Sequence, residues 1–114
     1  MPHRLLAALC VVCFVTPAAA QTCKASYYGA GEKLARHTAN GEVFRSGGLT
    51  AATWHHRFGT KLRVTYRGRS VVVRVNDRGP AKRLNRCVDL SFAAAKAIGL
   101  TRAGVATVNI EVIR

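Results

Sequence analysis

Five carboxylates make up the entire acidic side-chain complement of this 114-residue chain, against 18 lysines and arginines and four histidines. Each can be weighed singly as a proton donor, a base or a charge-pair partner. Asp77 closes the run Ser70 to Asn76, SVVVRVN, just before Arg78-Gly79-Pro80. Val71, Val73 and Val75 recur at period two, so a strand with one buried face stops there, and Gly79 and Pro80 turn the chain. A carboxylate held from behind by a rigid strand suits either a positioned acid or a salt-bridged turn. Glu42 occupies a comparable place in Thr38-Ala39-Asn40-Gly41-Glu42, where Asn-Gly tolerates positive φ. Of the others, Asp89 in CVDLS reads as capping a helix or ordering a loop, Glu32 as a solvated loop residue, and Glu111 as an outward strand residue suited to a cross-strand ion pair.

A pair of carboxylates in a basic groove is what cleavage of a glycosidic bond requires. One protonated acid donates to the leaving oxygen, and negative charge or a base assists an oxocarbenium-like centre. Nothing local brings Glu42 and Asp77 together. Arg78 and Arg83 are suited to holding an anionic ligand or to pairing with the carboxylates. His37, His55 and His56 are the remaining titratable candidates. The His55-His56 dipeptide lacks the spacing of a zinc site, and neither a metal nor another cofactor is expected. No serine or cysteine stands in a recognisable nucleophile setting.

These residues need a scaffold of short strands. Ala25 to Tyr28 reads as a first strand, followed by a glycine-rich loop. Leu49 to Ala52 reads as a strand end or helical turn. Lys61 to Tyr66 and Val71 to Asn76 form two strands around a hairpin at Arg67-Gly68-Arg69-Ser70. The one good helix is Ser91 to Ile98, with Ser91 as its cap, Asp89 near its positive end and Gly99 to stop it. Thr107 to Ile113 puts Val108, Ile110 and Val112 on one face of a last strand. Many short strands with one short helix point to a mainly β fold, a small closed barrel with few exposed edges.

The first twenty residues do not belong to that fold. His3 and Arg4 precede the apolar run Leu5 to Val15 and then Thr16-Pro17-Ala18-Ala19-Ala20, the layout of a cleaved secretory signal. The apolar run is short for a bilayer span, and no stable membrane insertion is expected after its removal. Removing 20 of the 114 residues leaves 94, one small domain that gains from a covalent staple. Cys23 and Cys87 are then the only pair left in an oxidising compartment, so a disulfide between them is expected. The processed chain loses only Arg4, leaving 17 basic against five acidic side chains, a net charge of +12. Such a surface attracts polyanions. Export directs that attraction to cell-wall polymers and lipid head groups, with no nucleic-acid partner expected.

ASYYG (Ala25 to Gly29), TANGEVF (Thr38 to Phe44), LTAA (Leu49 to Ala52), FGT (Phe58 to Thr60), VVVRVNDRGP (Val71 to Pro80) and DLSFAAAKAIG (Asp89 to Gly99) occur in order along the chain. In this the sequence resembles the rare lipoprotein A (RlpA-like) family over essentially all of residues 21–114. The resemblance implies a six-stranded double-psi β-barrel, and an exported, monomeric lytic transglycosylase that cuts peptidoglycan glycan strands to leave 1,6-anhydro ends. It implies Asp77 as the acid/base, with Glu42 assisting or binding the sugar. It further implies a substrate groove drawn from Tyr28, Asn40, Thr53, Trp54, His55, His56, Arg78 and Asp89. Two departures stand out: Thr53 replaces the family's histidine after TAA, and His56-Arg57 replaces a leucine-proline. Trp54 reads either as a core residue, the commoner setting for a tryptophan, or as a sugar-stacking face. A non-catalytic wall-binding or wall-loosening protein of expansin type is the alternative, and a barwin-like secreted effector or inhibitor is the third.

Overall fold

The computed structural model describes residues 20–114. The expected signal segment, apart from Ala20, lies outside the described residues. Six strands close into a barrel: β1 (Gln21–Tyr28), β2 (Thr50–Ala52), β3 (Lys61–Tyr66), β4 (Arg69–Asp77), β5 (Val88–Ser91) and β6 (Ala106–Ile113). Their order around the barrel is β1-β5-β2-β4-β3-β6. The pairs β1/β5 and β2/β4 are parallel and the other four antiparallel.

Alternation in β4 is realised as expected. Val71, Val73 and Val75 are buried and Val72 faces out. With Leu62, Val64, Val88, Leu90, Val108 and Ile110 they fill the barrel, and Ala94, Ala95, Ile98 and Leu100 close one side. The hairpin between β3 and β4 is tighter than the sequence suggests. Only Arg67 and Gly68 form the turn, with φ of 49° and 80°, because Arg69 and Ser70 already pair with Tyr66 and Thr65. Positive φ at both central residues gives the turn the twist that a two-residue hairpin needs.

The helix, α1 (Phe92–Ala97), is capped by Ser91, whose Oγ accepts from the Ala94 N–H. Asp89 does not cap it. It lies within β5, a strand that local patterning does not reveal, because its four residues depend on partners remote in sequence. Strand β1 likewise begins at Gln21 rather than Ala25, since Gln21 to Lys24 pair with Asn109, Ile110 and their neighbours in β6. Cys23 and Cys87 form the expected disulfide, joining β1 to the residue before β5 across a sequence separation of 64. Glu111 takes the cross-strand role expected of it, accepting from Arg63 Nη1 at 3.0 Å.

Candidate active site

Strand register assembles the site. Asp89 of β5 is paired with Ser26 of β1 on one side and with Ala52 of β2 on the other, and Ala52 is in turn paired with Asp77 of β4. Ser26, Asp89, Ala52 and Asp77 therefore form a row across four neighbouring strands. At about 4.8 Å per strand, the two aspartate Cα atoms stand roughly 10 Å apart. Between them the row carries only the methyl group of Ala52, so both carboxylates open onto one cleft of about 310 Å3, together with Tyr28, His37, Phe44, Arg78 and Pro80.

The two aspartates sit in different environments. Asp77 Oδ1 accepts from the backbone N–H groups of Ala39 and Arg78, each at 2.9 Å, which fixes the carboxylate in orientation. Its own carbonyl accepts from the Thr53 N–H. Asp89 Oδ1 accepts from the Ser26 hydroxyl at 3.0 Å. Burial pushes the Asp89 carboxyl up to about 6, against the opposing effect of that hydrogen bond, and the charges of Glu32 and Asp77 add to the rise. Burial likewise raises the Tyr28 phenol, whose oxygen lies 3.1 Å from Thr50 Oγ1.

Glu42 lines a different cavity, of about 520 Å3, with Arg45, Leu49, Arg74 and Asn76. Both of its oxygens are engaged: Arg74 donates to Oε2 at 2.7 Å and to Oε1 at 2.9 Å, and Asn76 Nδ2 donates to Oε1 at 3.0 Å. The Arg74 hydrogen bonds, then that of Asn76, hold the Glu42 carboxyl down at about 2. Asn40 is occupied within the same turn, its Oδ1 accepting from the Thr38 hydroxyl and the Glu42 N–H. The turn as a whole is moored to β4 by the Asn40 N–H donating to the Asn76 carbonyl, and this mooring delivers the Ala39 N–H to Asp77.

The segment after β2 departs furthest from expectation. Thr53 is fully buried, its hydroxyl donating to the Cys87 carbonyl and accepting from the His55 N–H, so it offers nothing to a ligand. His55 is exposed and His56 half-buried, its imidazole pKa lowered by burial, and neither lines the Asp77 cleft. Trp54 is not a core residue: it is 43% exposed, with Nε1 donating to the Pro80 carbonyl and Lys82 Nζ lying 4.9 Å from the ring centre. Arg78 borders the cleft, but its Nη1 donates to the carbonyls of Thr53 and His56 and its guanidinium stacks 3.9 Å over Phe58. It thereby pins the 53–58 loop. The imidazole that does reach the cleft is His37, carried in by a loop that no periodic pattern marks.

A family profile described as "Lytic transglycolase" matches residues 20–110. The chain belongs to that family. A probable endolytic peptidoglycan transglycosylase RlpA of Nostoc sp. is 52% identical over 92 residues, covering 78% of this chain and 24% of that protein. The chain thus spans about a quarter of the length of that curated relative. Among solved structures, the Streptomyces papain inhibitor superposes with a TM-score of 0.65 at 27% identity, covering 84% of this chain and 96% of that one. An expansin of Clavibacter michiganensis superposes at 0.66 with 21% identity, covering 84% of this chain and 51% of the other, a likeness of fold alone. The fold is the double-psi β-barrel that the RlpA-like resemblance implies.

Proposed function

We propose that this lytic transglycolase-family barrel is an exported lytic transglycosylase that cleaves the MurNAc–GlcNAc bond of peptidoglycan glycan strands. The observation that carries the reading is the Asp77–Ala52–Asp89 row, which opens two carboxylates onto one cleft. The Nostoc relative's name supports the substrate class.

Asp89 and Asp77 divide the acid and base roles between them. Asp89, held up to about 6, keeps a protonated fraction close to neutral pH and donates to the leaving glycosidic oxygen as its bond to C1 breaks. Asp77, oriented by two backbone N–H groups, faces the positive charge that develops at C1 and accepts the proton of the sugar's 6-hydroxyl. Oxygen 6 bonds to C1, giving the 1,6-anhydro end, and the proton gained by Asp77 is the one that must be restored to Asp89 before the next turn. His37 brings an imidazole to the same cleft, although the position that carries histidine in the family is Thr53 here. Glu42 acts as a positioning residue through the Ala39 N–H. Export to the periplasm or beyond agrees with the Cys23–Cys87 disulfide, and no helix among the described residues is long and apolar enough to cross a membrane.

Release of soluble glycan from isolated sacculi tests the reading. Wild type should release material and Asp77→Asn should not. Retained sacculus binding without release by the wild type would replace it with the wall-binding, expansin-type reading.

A further inference from the structure

Asp77 ends β4, and Arg69 begins it. At about 3.3 Å per residue the two ends of this strand lie roughly 26 Å apart. The Arg69 end opens a third cavity, of about 310 Å3, lined by Tyr66, Arg67, Arg69, Ile98, Gly99 and Arg102. Three arginines line it, and no aspartate or glutamate does. The five carboxylates are all placed elsewhere: Asp77 and Asp89 in the cleft, Glu42 on Arg74, Glu111 on Arg63, and Glu32 on the Ala30 N–H. The two ion pairs among the described residues thus leave these three arginines without an acidic partner.

Local contacts restrain two of the three. Arg67 holds the left-handed conformation, φ 49°, at a turn position where asparagine or glycine carries less strain, and its guanidinium lies 5.4 Å from the Tyr66 ring centre. Arg69 packs against Gly99, where an added Cβ would stand 3.0 Å from Nη1. Like charges held around one cavity repel, and an anion relieves that repulsion. Guanidinium forks match the paired oxygens of phosphate, and three positive charges call for a group carrying more than one negative charge.

We propose that this cavity binds phosphate esters. Polymer phosphates and lipid head groups share this chemistry. The test uses pyrophosphate, read by calorimetry, and phosphatidylglycerol vesicles against phosphatidylcholine vesicles, read by co-sedimentation. The probes are applied to the protein, to the triple variant Arg67→Gln, Arg69→Gln, Arg102→Gln, and to a control of equal net charge, Lys24→Gln, Lys61→Gln, Arg114→Gln. The arginine variant should bind pyrophosphate at least about tenfold more weakly, and the control within about twofold of wild type. Loss of vesicle binding in the same variant identifies lipid head groups as the source, and loss of pyrophosphate binding alone identifies polymer phosphate. Equal weakening in both variants, or no binding of either probe by wild type, overturns the proposal. Glycan release by the arginine variant should match wild type, which separates the outcome from the reading of the Asp77 cleft.

Discussion

Asp77 and Asp89 come from strands that do not pair with each other, and Ala52 is the residue paired with both. A small side chain between two carboxylates leaves each open to the cleft. A larger residue at Ala52, which is 4% exposed, would fill that space. Ala52→Leu should therefore reduce glycan release by roughly tenfold or more while the protein remains folded, overpacking costing about 1–3 kcal/mol. Product release assays beside thermal melts check this.

Asp77→Asn retains the size of the side chain and an oxygen for the Ala39 and Arg78 N–H groups. It should lower turnover by roughly 100-fold to 10,000-fold, the range for loss of a positioned proton-transfer group, with little change in the melting temperature. Steady-state release of soluble fragments measures it.

For Asp89 the pH dependence has a definite sign. Its folded value, about 6, lies above the ordinary 3.8, so the folded protein holds the proton more tightly than the unfolded chain. The stabilising contribution is complete below about 3.8 and is lost as pH rises through about 6. Activity that depends on the protonated form should fall along the same alkaline limb. Asp89→Asn should lose turnover, and its stability relative to wild type should rise between pH 4 and pH 7, seen in melting curves across that interval.

Glu42 works in the opposite sense. Its folded value of about 2 lies below the ordinary one because Arg74 and Asn76 donate to the carboxylate. The stability it contributes is present above the ordinary carboxylate value and is lost as pH falls toward 2. The gap in melting temperature between wild type and Glu42→Gln should therefore be present at pH 6 and close on acidification. Turnover should drop in this variant with less effect on KM, since the damage reaches the site through Ala39.

Reduction of Cys23–Cys87, with its sequence separation of 64, should cost about 4 kcal/mol in the chain-entropy view. Denaturant melts with and without reductant measure the loss. The bridge also secures the residue whose carbonyl receives the Thr53 hydroxyl, so reduction should loosen the 53–58 loop.

Much of this architecture is legible in the sequence because it is locally encoded. The valines of β4, the alternation of β3 and β6, the Ser91 cap and the two cysteines each declare their roles through period, cap chemistry or elimination. Asp89 does not, because its neighbours in the row come from strands separated from it by tens of residues, and a four-residue strand has too few positions to show a period. Glu42 and Asp77 look alike as turn carboxylates, yet only the fold shows that one is consumed by Arg74 while the other is open to a cleft. Thr53 occupies a motif position that suggests ligand contact, whereas its buried hydroxyl bonds the Cys87 carbonyl. Trp54 runs against the usual fate of its residue type because Pro80 captures the indole N–H at the surface.

The proposed reaction turns on internal attack by the sugar's 6-hydroxyl within the Asp77–Asp89 cleft. Mass spectrometry of fragments released from denuded and intact peptidoglycan tests it most directly, since an anhydro end is lighter by one water than a reducing end. Wild type should make 1,6-anhydro-MurNAc ends, and Asp77→Asn should make none. Reducing MurNAc ends from wild type would contradict internal attack, showing that water is the nucleophile in this cleft.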